Sequence, residues 1–386
     1  MNAQELIQNA RDLAPVLQER AAQTEKLRRI PDETVKDLHE AHLFKVLQPK
    51  RYGGLELEPG AFYETAMALA SGCGSTGWVY SILAVHHWQM ALFPEQAQEE
   101  VWGENPSTLI SSSYAATGQV EVVDGGFRLS GTWHFSSGCQ HADWVFLGGL
   151  VMQGDVPVFH TFLVPGRDYR IHDVWNVVGL AGTGSNDIVI EEAFVPDHRA
   201  HRMLEEIGGP GTAVNTSPIY KLPFSSVFSY SITAPALGMA LGAIEAYRET
   251  MRTRVRIAYG GEKVAQDPFS QVRLAEASGE VDAARLQMHR NFDEMLGLVA
   301  EGKDFPLELR TRIRRDQVRG TAAAIRATDR IFENSGGRAL FLDSPIQRAW
   351  RDVHAARVHA VNDPERALRM YGGSEVGIEP DPGSMY

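Results

Sequence analysis

Three short stretches set small polar side chains beside aromatic rings: Gly74-Ser75-Thr76-Gly77-Trp78, Ser111-Ser112-Ser113-Tyr114 and Trp133-His134-Phe135-Ser136-Ser137-Gly138. Such a mixture suits a flat heteroaromatic ligand, because aromatic faces stack on its ring while hydroxyls meet its nitrogens and carbonyls. Turn serines and core aromatics give the same composition, and composition alone favours that plainer account. Other chemistries lack their residues. There is no GxxxxGK[ST] loop for a nucleoside triphosphate, and Gly179-Leu180-Ala181-Gly182-Thr183-Gly184 is glycine-rich without being the GxGxxG of a dinucleotide fold. His39 with His42, and His354 with His359, are pairs of a kind more often structural than metal-binding, so no metal is expected.

The elements that must position these residues change texture twice. Leu6, Ala10, Leu13 and Leu17 recur at helical spacing, with Pro15 expected to kink or divide the helix. Asp32 after Pro31 starts a second helix, and 60–71 and 76–93 read as two largely buried ones. From Asn105-Pro106 onward short β-rich runs take over. Gln119 to Val123, the turn Asp124-Gly125-Gly126 and Phe127 to Ser130 predict a hairpin. Asp143 to Leu150, Val158 to Val164 and Ile188 to Val195 are further strands, at a spacing that suggests a small barrel or sandwich. Helices return from about 226. Leu274, Ala277, Val281, Ala284 and Met288 form a bundle-type seam. Another long helix spans 308–334, with Ser335-Gly336-Gly337 as its left-handed glycine cap. The expected fold is therefore α+β, mainly α: a helical domain over 1–105, a β-barrel or sandwich over 106–205, and a four-helix bundle with an extended tail over 206–386.

Composition narrows the partners. The chain has 386 residues, and 37 Lys and Arg stand against 49 Asp and Glu, a formal net charge of −12. That balance disfavours nucleic acid and anionic membranes. No apolar run reaches about 18 residues, so no membrane span is expected. Two cysteines, Cys73 and Cys139, build no disulfide framework, and with no secretory signal at the N-terminus a reducing cytoplasm is the expected location.

Helical–β–helical order at this length, with the stretches Pro49 to Gly54, Gly179 to Pro196, Arg254 to Gly260 and the helix at 271–288, resembles the acyl-CoA dehydrogenase superfamily over roughly residues 5–375. One departure is informative. Arg351-Asp352 leads to Arg357-Val358-His359-Ala360, so a histidine stands beside the place of that superfamily's glutamate base. The strings at 72–78, 110–114, 136–139 and 358–367 instead resemble the oxygenase components of two-component flavin monooxygenases, most of all the hydroxylases of phenolic seco-steroids. The resemblance implies reduced FMN from a separate NAD(P)H:flavin reductase, dioxygen as co-substrate, a flavin C4a-hydroperoxide, ortho-hydroxylation of a bulky phenol to a catechol, and a homotetramer. A smaller phenol such as hydroxyphenylacetate, or acyl-CoA dehydrogenase chemistry, is the alternative.

Roles follow residue by residue from the same resemblance. Ser137 would contact flavin N5, with Phe135 and Ser136 beside it; Ser112, Ser113 and Tyr114 would line the ring, and Trp78 would pack on flavin or substrate. Arg254 and Arg256, expected on a helix and hence on different faces, would compete for the phosphate. Gly337 and Arg338 would meet a neighbouring subunit's flavin. His359, with Ala360 next to it among the cofactor contacts, would be the base near the phenol, and His86 a substrate contact. Cys139 has no expected role.

Overall fold

The computed structural model describes residues 1–202, 207–256, 260–381 and 384–385, without the side chains of Arg256 and Glu262. Five helices come first: α1 (Ala3–Leu27), α2 (Asp32–Glu40), α3 (Pro59–Gly72), α4 (Gly74–Met90) and α5 (Glu95–Trp102). An Asn2/Glu5 capping box starts α1, which buries Leu6, Ala10, Leu17 and Ala21. Pro15 does not divide it; the helix runs through. Close packing on α3 carries the segment past the lost hydrogen bond: a Cβ on Gly72 would lie 2.2 Å from the Ala14 carbonyl oxygen. Every residue of α4 is buried, and its side chains are apolar or polar without Asp, Glu, Lys or Arg, as suits a central helix.

Eight strands follow: β1 (Ile110–Ser113), β2 (Gln119–Val123), β3 (Gly126–Ser136), β4 (Trp144–Gln153), β5 (Val156–Pro165), β6 (Arg170–His172), β7 (Asn186–Pro196) and β8 (Ala200–His201). They form two four-stranded sheets, ordered β1-β4-β5-β8 and β2-β3-β7-β6. Trp133, Val145, Leu147, Phe162, Val164 and Ile188 belong to a shared buried core. The β1–β4 pair is parallel and brings Ser112 opposite Phe146.

The remaining elements are α6 (Phe224–Thr253), the short ribbon β9 (Val255–Arg256) and β10 (Glu262–Lys263), α7 (Pro268–Glu301), α8 (Leu307–Ser335), α9 (Pro345–Arg357) and α10 (Pro364–Ser374). The seam on α7 buries Ala277, Val281, Ala284 and Met288 as expected. By length and composition α6 could cross a membrane, yet 89% of its most apolar window is buried inside the chain, as befits a core helix. Gly336 ends α8 at φ 65, ψ −171, so its φ is positive but its ψ is not that of the expected left-handed cap. The extended turn Glu379 to Gly383 expected in the tail lies partly outside the described residues.

Candidate active site

Ser137 sits where β3 ends. Gly138 follows at φ 70, where a Cβ would lie 2.9 Å from Val79, and its N–H donates to the Thr183 carbonyl at 2.9 Å. This tie brings the 180–185 turn against Ser137. A chain of hydroxyls results, and its direction can be worked out. The Trp78 indole N–H can only donate, and it donates to Ser137 Oγ at 3.2 Å. Thr183 gives its proton to the Leu180 carbonyl at 2.9 Å, an oxygen that also takes the Trp175 indole N–H. Ser185 then donates to Thr183 (2.7 Å) and Ser137 donates to Ser185 (2.8 Å). Ser137 is left with one free lone pair, an acceptor for a ligand N–H. The turn is held from behind: Leu180 N–H donates to Asp352 Oδ1 at 2.6 Å, and burial pushes that carboxyl up to about 6.

The serines of β1 spend their hydroxyls on the protein. Ser113 donates to the His134 carbonyl at 2.6 Å, and Ser136 meets Ser111 Oγ at 3.3 Å. Ser112 is buried and lies in the same strand. Phe135 is different. The β3–β7 register shifts between Trp133 and Ser136, Phe135 takes a positive φ of 66°, and its ring stands 70% exposed. Such a conformation is costly for a bulky residue and marks functional places.

Two expected site histidines have opposite polarity, and only His359 touches the Trp78–Ser137 group, His86 lying against Tyr114 and Phe146. His86 is fully buried and its Nδ1 lies 2.6 Å from the Ile110 carbonyl, so Nδ1 carries the proton. Its Nε2 is a buried acceptor without a partner, and burial pushes the imidazole down to about 3. His359 reverses this. Its Nδ1 accepts from Val361 N–H at 3.2 Å, which leaves the proton on Nε2. Burial, and next the Arg314 charge, push it down to about 4, so it is neutral at pH 7. Its ring meets Trp78 edge-on at 5.8 Å between centroids. With the backbone N–H on Nδ1, His359 presents an N–H at Nε2 rather than a second free nitrogen. Ala360 is exposed beside it.

Tyr114 closes the His86 end. Its ring lies 6.2 Å from His86 and 5.1 Å from Phe228, and its hydroxyl donates to Gln89 Oε1. Gln89 Nε2 is a second buried polar atom without a partner.

Arg254 and Arg256 are not on a helix: α6 stops at Thr253, Arg254 is its extended C-cap, and Arg256 pairs with Glu262 in the ribbon. The Arg256 side chain lies outside what is described. Arg254 packs on Gly336, where a Cβ would meet its Nη2 at 2.3 Å, and donates to the Ser335 carbonyl. It thereby joins the Gly337–Leu340 turn with the exposed Arg338. Among the described residues no hydrogen bond or ring contact links this corner to Ser137.

Thr183, Ser185, Asp352, Gln89 and Arg314 were not singled out from sequence as site residues. Two signals for them were present: the Gly182-Thr183-Gly184-Ser185 string inside the 179–196 stretch, and the Arg351-Asp352 pair. Nothing local marks Gln89 or Arg314.

Helices before and after a module of two sheets are the architecture of the acyl-CoA dehydrogenase class. The model of that family's N-terminal domain matches residues 2–105 and that of its C-terminal domain 230–364. The flavin-dependent monooxygenase oxygenase subunit HsaA of Rhodococcus jostii is 52% identical, over 95% of this chain and 97% of its own length. The FADH(2)-dependent resorcinol hydroxylase oxygenase component of a Rhizobium species is 35% identical over 97% and 95%. The crystal structure of the HsaA monooxygenase from M. tuberculosis superposes with a TM-score of 0.94 at 49% identity, covering all of both chains. The chain belongs to the oxygenase components of flavin-dependent monooxygenases, and as such a component it works with a separate flavin reductase. The residues present fit a flavin: Ser137 offers one acceptor for a ring N–H, and Phe135 an open aromatic face.

Proposed function

We propose that this enzyme ortho-hydroxylates a bulky phenol, a phenolic seco-steroid, to a catechol, using reduced FMN and dioxygen. The observation that carries the reading is the pairing, across Trp78, of Ser137's one open lone pair with the Nε2–H of a neutral His359. The first suits the N5–H of a reduced flavin. The second suits the oxygen of a phenol or phenolate.

The flavin, when bound, supplies the activated oxygen. The chain's residues do the rest. Trp78 and Ser185 hold the Ser137 hydroxyl so that it accepts. Phe135 stacks on the ring, with Ser112 and Ser136 at its edge and Ala360 beside it. The His359 donor favours the ionised phenol, which is the better nucleophile. His86 Nε2 accepts from a substrate hydroxyl. Buried α4 and the Tyr114, Phe146, Phe224 and Phe228 rings keep water out.

Arg254, Gly337 and Arg338 form one corner, which serves the phosphate end of a neighbouring subunit's FMN in a homotetramer. The exposed Leu340, Phe341 and Leu342 beside it support that interface. Free, buried cysteines fit a cytoplasmic enzyme. The test supplies reduced FMN, labelled dioxygen and a phenolic seco-steroid to the protein. Label in a catechol product is expected; unlabelled phenol alongside oxidation of an acyl-CoA would overturn the reading.

A further inference from the structure

Arg314 on α8 is 4% exposed, and no carboxylate lies within ion-pair distance of it among the described residues. Its guanidinium donates to Gln317 Oε1, to the Val361 carbonyl at 3.0 Å and to the Met385 carbonyl at 3.1 Å, all neutral acceptors. The acids nearby are spent elsewhere. Asp316 is taken by Arg290 and Arg315, each at 2.7 Å. Asp363 lies close enough for its charge to favour that of Arg314, but it caps α10 through Glu365 N–H at 3.0 Å, pairs with Arg366 at 3.5 Å and makes no ion pair with Arg314. Tyr230 is buried, which keeps its phenol protonated. Burying a cation with no anion in contact costs several kcal/mol.

The charge also acts on His359, whose proton affinity it lowers. The Val361 carbonyl accepts from Arg314, and the Val361 N–H donates to His359 Nδ1. One residue, Val361, therefore links the guanidinium to the imidazole through its two flanking peptides, and by occupying Nδ1 it leaves the ring proton on Nε2. We propose that Arg314 is an electrostatic positioning residue that makes this site bind its phenol as the phenolate. Its missing counter-ion is the substrate's own oxygen, received by the His359 Nε2–H. The inference rests on the phenol reading above and adds the residue whose charge sets the ionisation state of the bound ligand. A buried cation and a neutral donor select a singly charged, planar oxyanion over the neutral phenol.

The experiment titrates a nitrophenol, whose ionised form absorbs at longer wavelength, bound to the full-length flavin-free protein. The wild type is expected to hold it ionised well below its free midpoint. Arg314→Met and Arg314→Gln should lower the ratio of ionised to neutral ligand about tenfold at a given pH, while Arg314→Lys, which keeps the charge, should restore it. A second reading needs no ligand: the His359 ring proton followed by NMR should titrate at higher pH in Arg314→Met and not in Arg314→Lys. Equal ligand midpoints in wild type and Arg314→Met, or an unmoved His359 titration, would overturn the proposal. A wild type that binds no phenol refutes the phenol reading instead, and the His359 titration then decides whether Arg314 governs that ring.

Discussion

Replacing His359 separates a base from a donor. A free phenol ionises near pH ~10, and His359 sits at about 4. Moving the proton directly between them is uphill by about 6 units, or roughly 8 kcal/mol at 1.36 kcal/mol per unit. An ordinary histidine would face only about 3.5 units, so burial and the Arg314 charge make the base route worse. A hydrogen bond from Nε2–H to a charged oxygen is instead worth about 1.5–3 kcal/mol, or roughly 10–150-fold in rate. His359→Ala should slow single-turnover hydroxylation by that factor at pH 7 and recover as pH rises and ionises the phenol in solution. His359→Asn, which keeps an N–H donor, should lose less than about tenfold. Since His359 is already neutral, the wild-type rate should show no inflection from it between pH 5 and 8. Stopped-flow hydroxylation against pH for the three proteins is the assay. An Asn variant as slow as the Ala variant, or a wild-type inflection near pH 6.5 that Ala removes, would refute the donor argument.

Three further outcomes are expected. The buried histidines at 86, 87 and 201 and the partly buried ones at 141 and 359 are all pushed down to about 3 or 4 by desolvation. The unfolded chain therefore binds more protons below pH ~6.5, and stability should fall as pH drops from there toward 4, by up to about 1.36 kcal/mol per pH unit for each ring. Asp352, pushed up, opposes this with a single proton. A urea midpoint flat from pH 7 to 4.5 would contradict the burial of these rings. Ser185→Ala should free the Ser137 proton and raise affinity for oxidised FMN relative to reduced FMN by about tenfold, read by fluorescence and anaerobic titration; an unchanged ratio would break the directional chain. Gln89→Met removes a buried donor without a partner and should weaken a phenol bearing a ring ketone more than its methylene analogue, by about tenfold in Kd; equal weakening would mean the amide only props Tyr114.

Much of the scaffold was legible because it depends on local periodicity. The 3.6-residue recurrence on α7 and the turn chemistry at 124–126 report which face or bend a segment prefers, and the chain obeys both. Pro15 shows the limit of such local rules, since packing on α3 overrode its break. Arg254 and Arg256 show another. The helix ends at Thr253 without a glycine or proline to announce it, and the ribbon that follows is set by pairing with residues 262–263.

From residue types and strings alone came a helical–β–helical oxygenase component, with Ser137, His359, His86 and Trp78 as its expected site residues. Their polarity came only from tertiary contacts. Whether a hydroxyl donates or accepts depends on which neighbours have taken its proton, and Ser137 is an acceptor because Ser185, 48 residues away, takes it. Whether an imidazole is a base or a donor depends on which nitrogen the backbone occupies, and at His359 that is Nδ1, held by Val361 N–H. The unpaired charge of Arg314 is equally invisible in sequence, where Asp316 stands two residues on. Folding assigns that carboxylate to Arg290 and Arg315 and leaves the buried guanidinium on the Val361 carbonyl, next to the residue that holds His359.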